Sequence, residues 1–397
     1  MNTQSITIVG FSLAGLRCAE TLRRLGHTGS IHVVGDESEE PYDRPPLSKE
    51  GLAGDGDPRV ALRKEPIDEL DLDVHLGRRA VALDVAARAV DLDNGTRIGA
   101  EHVVIATGAR ARRLPASICS PELANVHVVR TLADGRRLRS ALDAEPNRVV
   151  VVGAGFIGME VAASCRARGH EVTVIEPLAQ PMVRGLGETI GGACAQLHRD
   201  HGVDLRLGTG VAAIDATGVE TTAGERLAAD VVVVGVGAAP NVEWLESSGL
   251  TIDNGVVCDA SLAAAPGVDA IGDVARFPNP LFDGEMMRLE HWTNAAEMAM
   301  HVAQRITTEQ PNDFAPVPFV WSDQYDVKIQ SVGRYDSDCD LQVAHGALAD
   351  HKFVALFGRN GRLVGALGFS QPRFVMQYRR MIAERASWSD AIDKSNA

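Results

Sequence analysis

The sequence predicts an α/β protein: two domains built on parallel β-sheet, followed by a smaller C-terminal α+β domain. Three observations carry this reading. ITIVGFSLAGLRCAETLRRLGHTGSIHVVGDE near the start is echoed from Val149 by VVVVGAGFIGMEVAASCRARGHEVTVIEP. Further short apolar runs end on glycine turns at HVVIATG (102–108), VVVVGVG (231–237) and VDAIGD (268–273). From Ala315 the texture changes to alternating, aromatic-rich segments. At 397 residues the chain is also too long for one ordinary core.

Taken in order, each echoed unit opens on a β-branched run, turns through glycines into a segment of helical period, and closes on a second apolar run ending in an acid. That is a βαβ unit, whose strands read as continuous apolar runs because a parallel sheet is buried on both faces. The runs ending at Gly108, Gly237 and Asp273 are expected strands whose C-terminal ends meet ligand in open α/β sheets. PFVWSDQYDVKIQSVG, KFVALFG and LVGALGF predict a small antiparallel sheet, and RFVMQYRRMIAER (373–385) a basic helix. Domain boundaries are expected at 1–111 together with 243–315, at 112–242, and at 316–397.

Composition narrows the class. Hydrophobic residues make up 45% and charged residues 23%, the balance of a globular protein. With 39 basic and 53 acidic residues the net charge is −14, which argues against nucleic acid or an anionic membrane as partner. Six scattered cysteines form no C-x-x-C and no metal-like spacing, so a redox disulfide, a structural zinc and any other metal site are not expected. The first apolar run is too short for a signal sequence and no stretch is long enough to span a bilayer, so a cytoplasmic location is expected. The scattered histidines are expected at the surface or in structural roles.

The glycine turns carry the chemistry. Gly153, Gly155 and Gly158 complete G-x-G-x-x-G: a tight turn, a close approach of backbone to pyrophosphate, and close packing of helix on strand. The pyrophosphate would sit on the free N–H groups and positive end of the helix. Glu176, at the end of the next strand, would accept from the ribose hydroxyls and repel a 2′-phosphate, which favours NADH over NADPH. In the first unit Gly10 and Gly15 hold the outer positions, Ser12 replaces the middle glycine, and Asp36 stands where Glu176 does in the second. A small Ser is tolerated there if φ stays negative. The competing reading of either turn is a glycine-rich βα connection with no ligand. Two nucleotide sites are most economically read as bound FAD with NADH as reductant.

At this point the residues resemble a family: the FAD-dependent, NADH-linked ferredoxin reductases that serve Rieske oxygenases and bacterial cytochromes P450. The resemblance runs through YDRPPLSK (42–49), ATGARARRLP (106–115), VRTLADG (129–135), VVGAGFIGMEVA (151–162), GVGAAPN (235–241), AIGDVA (270–275), LEHWTNA (289–295) and WSDQYDVKIQSVG (321–333). It implies a glutathione-reductase-like two-domain flavoprotein, with FAD bound by 1–111 and 243–315, NADH by 112–242, and 316–397 as the C-terminal α+β domain. It implies that Asp36 binds the FAD ribose, that Arg44 and Lys49 face the flavin and its phosphates, that Val81 meets adenine through its backbone, and that Arg130 reaches FAD from the NADH domain. Asp273 would hold the ribityl chain with Val274 beside it, and Trp292 would lie against the isoalloxazine. Ala14, Ala106, Thr107, Gly108 and Gly272 join Gly10, Ser12 and Gly15 as FAD candidates. Phe156, Ile157 and Gly237 join Gly153, Gly155, Gly158 and Glu176 as NADH candidates. Lys49, Glu160 and Trp292 are the catalytic candidates, Lys49 and Glu160 as a pair.

Each has a plainer alternative. Asp273 could be a turn or N-cap residue, Trp292 ordinary core, Arg44 a solvated charge, and Lys49 and Glu160 two exposed charges of little consequence. The implied activity is transfer of electrons from NADH through non-covalent FAD, one at a time, to a separate, small, acidic [2Fe–2S] ferredoxin that feeds an oxygenase. The protein would be a monomer or weak dimer, docking through a local basic patch such as Arg379, Arg380 and Arg385 or Arg110, Arg112 and Arg113. Rubredoxin or monodehydroascorbate reductase of the same fold is the alternative. A thiol-based disulfide reductase is disfavoured because no cysteine lies between Cys18 and Cys119.

Overall fold

The computed structural model describes residues 3–144, 147–308, 310 and 312–395. Two compact units emerge, Met1–Asp43 with Ala61–Arg110 and Ala239–Phe319, and Arg44–Val60 with Ala111–Ala238 and Val320–Ala397. The sequence expectation kept 1–111 in one piece, whereas Arg44–Val60 gathers with the second unit. The reason is local packing: the Leu47 side chain lies where a Cβ at Gly135 would come within 2.9 Å of it, and the short helix Glu50–Ala53 packs on the helices Leu132–Asp143 and Phe156–Ala167.

The first unit is organised on a six-stranded sheet ordered 263–265, 268–270, 102–105, 6–9, 31–35, 73–76. Ile6–Val9 lies centrally, parallel to Ile31–Gly35 on one side and His102–Ile105 on the other. The β-branched residues of these three strands have no exposed face: Ile6, Ile8, Val33 and Val104 are fully buried. Each such side chain contributes about 1.5–3 kcal/mol relative to exposure. The helix Leu13–Arg24 buries Leu16, Cys18, Ala19 and Leu22 and packs against the long helix Trp292–Thr308. Asp73–Leu76 is the outer strand. His32 Nδ1, on the neighbouring strand, lies 2.8 Å from an Asp73 carboxylate oxygen, and His75 Nε2, on the same strand as Asp73, lies 3.3 Å from that atom. His32 holds the Asp73 carboxyl below the usual range, and a carboxylate at a sheet edge discourages pairing with another chain.

The second unit repeats the plan. Its five-stranded parallel sheet runs 126–127, 231–234, 148–152, 171–176, 204–207, with Arg148–Val152 flanked by Glu171–Glu176 and Val231–Val234. The repeat extends beyond the part legible in sequence. In the first unit a three-stranded antiparallel meander (80–84, 89–92, 97–99) separates the outer parallel strand from His102–Ile105. In the second unit a second meander (211–215, 218–221, 226–228) occupies the equivalent place before Val231–Val234.

The C-terminal region forms the expected antiparallel sheet, with five strands ordered 319–324, 327–333, 362–369, 352–359, 340–347. The helix Pro372–Ala383 packs on its strands 327–333 and 362–369. Tyr325 opens the two-residue turn at 325–326 with φ +57°, a left-handed backbone uncommon for a bulky residue. Among the described residues no helix is long and apolar enough to cross a membrane.

Candidate active site

Both glycine turns close by the same hydrogen bonds. Gly10 N–H donates to Val34 O at 2.7 Å and Gly153 N–H to Ile175 O at 2.8 Å; Ala106 N–H donates to Val9 O at 2.7 Å and Gly235 N–H to Val152 O at 2.8 Å. The outer glycines are dictated by this geometry. Gly10 has φ +114° and a Cβ there would stand 2.1 Å from Ala106 O; Gly153 has φ +100° and would meet Gly235 O at 2.5 Å. A Cβ on Gly15 would lie 1.9 Å from Gly10 O, and one on Gly158 2.0 Å from Gly153 O.

The middle position is different. Gly155 has an extended backbone (φ −77°, ψ −178°) and a Cβ on it would meet nothing within 4 Å. Ser12 has the comparable extended backbone (φ −104°, ψ −154°) in the first turn. Ser is therefore accommodated without strain. Open space at this position, at the amino end of a helix whose first N–H groups lack intrahelical partners, fits a pyrophosphate.

In the first unit Gly10, Ala14, Ala106, Thr107, Gly108 and Gly272 lie at or just past the carboxyl ends of the central strands. Gly10 abuts Ala106 and Thr107, and Gly272, at φ +72°, lies where a Cβ would come 3.1 Å from that of Ala14. Thr107 Oγ1 donates to Asn241 O (2.9 Å) while Asn241 Nδ2 donates to Thr107 O (2.8 Å) and Asn241 N to Gly108 O (3.0 Å). This clasp explains why ATG and APN occur together, a link the sequence reading missed. Asp273 sits inside the turn Gly272–Val274, whose N-cap is Ile271, and its carbonyl accepts from Arg288 Nη1 at 3.1 Å. Of the two plainer alternatives for Asp273, it is therefore not the N-cap but it is a turn residue. Trp292 is half-buried and donates through Nε1 to Asp43 Oδ1 at 2.8 Å, so its indole is oriented by a polar partner rather than by core packing alone. Asp36 is exposed just past the strand Ile31–Gly35, and Val81 is 46% exposed on the meander.

In the second unit Glu176 is fixed by two backbone donors: Ala154 N to Oε2 at 2.8 Å and Leu178 N to Oε1 at 3.0 Å. The carboxylate is thereby held beside the glycine turn, with lone pairs left for a ribose. Phe156 is half-buried, Ile157 is an exposed apolar side chain on the first turn of the helix, and Gly237, at φ +98°, is exposed at the end of the adjacent strand. Arg44 is no loose surface charge, since Nη1 donates to Arg130 O at 2.6 Å. Thr131 then caps the helix Leu132–Asp143 in a reciprocal capping box with Asp134, which gives VRTLADG its physical content.

Lys49 and Glu160 are buried together, with Lys49 Nζ 3.3 Å from Glu160 Oε1. Ser48 Oγ donates to Glu160 Oε2 at 2.5 Å and Ser322 Oγ to Oε1 at 2.6 Å. Lys49 Nζ also lies 3.6 Å from Asp323 Oδ2 and 5.5 Å from the centre of a Trp321 ring. Burial pushes the Glu160 carboxyl up, and Lys49, Ser322 and Ser48 pull it down; burial dominates. The sequence reading missed Ser48, Ser322, Asp323 and Trp321. The two motifs that contain them, YDRPPLSK and WSDQYDVKIQSVG, were the available signal.

All six cysteines are free thiols, five of them buried, and burial pushes Cys165 and Cys258 up to about 12. Of the arginine patches, Arg110 is paired with Glu243 (2.5 Å) and Arg380 with Glu384 (2.8 Å).

Comparison with known proteins identifies the family. Residues 4–299 match the family model described as pyridine nucleotide-disulphide oxidoreductase, and residues 319–395 the one described as reductase C-terminal. The chain is 38% identical over 388 residues to rhodocoxin reductase of Rhodococcus erythropolis, spanning 96% of this chain and 89% of that protein. It is 38% identical over 395 residues to the ferredoxin–NAD(+) reductase component of the anthranilate 1,2-dioxygenase system of Burkholderia cepacia, spanning 97% and 96%. The crystal structure of the covalent putidaredoxin reductase–putidaredoxin complex matches with a TM-score of 0.92 at 30% identity, covering 100% of this chain and 99% of that one. The chain therefore belongs to the pyridine nucleotide-disulphide oxidoreductase family and, within it, to the FAD-containing, NAD(H)-dependent ferredoxin reductases.

Proposed function

We propose that this protein carries electrons from NADH, through non-covalently bound FAD, to a separate [2Fe–2S] ferredoxin that feeds an oxygenase. The observation that carries the reading is the pair of glycine turns of matching geometry, each with an extended backbone at its middle position and an acid at or just past the end of the adjacent strand. When bound, the flavin supplies the conversion between a two-electron donor and one-electron acceptors. Gly10, Ser12 and Gly15 receive its pyrophosphate and Asp36 its ribose. Ala14, Ala106, Thr107, Gly108, Gly272, Asp273 and Val274 form the remaining floor in the first unit, and Trp292 is the aromatic partner of the ring. Val81, Arg44 and Arg130 complete the FAD set.

Gly153, Gly155, Gly158 and Glu176 receive NADH, with Phe156, Ile157 and Gly237 beside it. Lys49 and Glu160 set the charge presented to the redox centre: the ammonium stabilises negative charge, and the buried carboxylate holds the ammonium in place. The names of the relatives support ferredoxin as acceptor, and a cytoplasmic location and a monomeric or weakly dimeric state complete the proposal. The test is reduction of cytochrome c by NADH with and without added [2Fe–2S] ferredoxin. Dependence on ferredoxin is expected, and equal rates without it would refute the assignment of the acceptor.

A further inference from the structure

Glu160 is the terminus of a longer buried chain. Ser322 Oγ lies 2.6 Å from Glu160 Oε1, Gln324 Nε2 3.0 Å from Ser322 Oγ, His198 Nε2 2.9 Å from Gln324 Oε1, and Tyr325 Oη 3.1 Å from His198 Nδ1. Ser322, Gln324 and His198 are each 0% exposed. They come from different elements, the strand Phe319–Gln324 and the helix Val183–Asp200, and Glu160 from the helix Phe156–Ala167.

The direction of these four bonds is not free. An ionised carboxylate only accepts, so the Ser322 hydroxyl must donate to Glu160. Ser322 Oγ then accepts from the Gln324 amide nitrogen, which also faces Met182 Sδ at 3.8 Å. Gln324 Oε1 is left to accept, so neutral His198 must carry its proton on Nε2, and Nδ1 accepts from the Tyr325 hydroxyl. A Glu160 protonated on Oε1 reverses every step, whereas a proton on Oε2 would be given to Ser48 and leave the order unchanged. Oε1–H donates to Ser322, Ser322 donates to a flipped Gln324 carbonyl, Gln324 N–H donates to His198 Nε2, and His198 Nδ1–H donates to Tyr325. Any mixed order leaves two buried donors, or two buried acceptors, facing each other.

We infer that Glu160 takes its proton on Oε1 and that His198 is a positioning residue for it: through Gln324 and Ser322 the His198 tautomer is coupled to that proton, Nε2–H accompanying the carboxylate and Nδ1–H the acid. Burial keeps His198 neutral by pushing it down to about 4, so the imidazole has two tautomers rather than a charged form over the working range. The charged groups facing the two ends are few. Lys49, itself beside Asp323, faces Glu160, and Asp323 is in turn paired with Lys328 at 2.7 Å. At the other end His201 faces His198, and Arg166 faces Tyr325. Tyr325 is held by its left-handed backbone and by stacking on His201, with ring centres 3.6 Å apart. The functional value of the coupling rests on the proposed redox role of Lys49 and Glu160; the coupling itself does not.

The test uses the FAD-loaded full chain labelled with ¹⁵N-histidine and ¹³C-glutamate, the His198 and Glu160 signals being assigned by His198→Gln and Glu160→Gln. Two-bond ¹⁵N–¹H spectra should give His198 as Nε2–H where Glu160 is ionised. The His198 tautomer should change at the same pH as the Glu160 carboxyl signal titrates. Gln324→Met should abolish that coincidence. An Nδ1–H form beside ionised Glu160, a tautomer constant through the Glu160 titration, or coupling that survives in Gln324→Met would each overturn the inference. The NADH reduction rate of Gln324→Met decides the separate question. An unchanged rate, with the coincidence lost, would show that NADH reduction does not use the coupling and would leave the inference of the coupling itself standing.

Discussion

Ser12 and Gly10 lie two positions apart in the same turn and answer to opposite constraints. Ser12 occupies extended backbone whose twin, Gly155, has open space around it, so Ser12→Gly should leave FAD content and activity within about twofold of the parent. Gly10→Val places a β-branched residue at φ +114° against Ala106 O and should yield protein without FAD. Flavin content per chain, read by absorbance after purification, checks both; FAD retained in Gly10→Val would contradict the account of the turn. Lys49 presents the other kind of constraint. Removing a cation from a buried pair leaves its partner's charge uncompensated, at about 3 kcal/mol or more. Lys49→Met should therefore lower the denaturation midpoint as well as slow NADH reduction, and Lys49→Met with Glu160→Gln should recover part of the stability but not the rate. Denaturant titration of both proteins measures this; full recovery of the rate would remove the pair from the chemistry.

The strand Glu171–Glu176 shows how an element delivers a side chain. Its apolar run pairs with Arg148–Val152 in parallel register, and only its last residue emerges beside the glycine turn, where two backbone N–H groups fix the carboxylate. Losing a charge-assisted hydrogen bond costs about 1.5–3 kcal/mol. Glu176→Ser should thus weaken NADH binding by roughly ten- to a hundredfold and narrow the preference over NADPH. Equal selectivity in parent and variant would take the role from Glu176.

Elements of this kind were legible in sequence because a buried parallel strand and a glycine turn each leave a continuous local signature. The meanders were not read, although DNG at 93–95 is a hairpin signal, because their strands are three to five residues long and carry no sustained alternation. Ser322, Gln324 and His198 were invisible for a different reason. Their partners lie 126 to 162 positions away, and a polar residue in a strand or helix announces nothing until its neighbours are known.

At the scale of the whole molecule, charge and titration set the behaviour in solution. A net charge of −14 repels an acidic ferredoxin at long range, so docking requires a local basic surface. If Arg379 and Arg380 supply it, reversing both to Glu should raise the KM for ferredoxin several-fold at low salt, with NADH bleaching of the flavin untouched. No change would exclude that patch. Acid stability follows from His198. Its folded pKa, pushed down to about 4, lies below the unfolded value of about 6.5, so the unfolded chain binds the extra proton between these limits. Stability contributed by the neutral imidazole is full above pH 6.5 and is lost as pH falls toward 4, by an amount on the order of 3 kcal/mol. Urea midpoints measured across that window should fall with pH, and less steeply in His198→Gln.

The central claim is that two nucleotide turns on one chain hold a flavin and its reductant. Anaerobic stopped-flow mixing of the yellow holoenzyme with NADH, followed near roughly 450 nm where oxidised flavin absorbs, tests it most directly. The account predicts rapid bleaching by NADH, slow bleaching by NADPH, and loss of the difference in Glu176→Ser. A protein that purifies without FAD, or a flavin that NADH leaves oxidised, would contradict it.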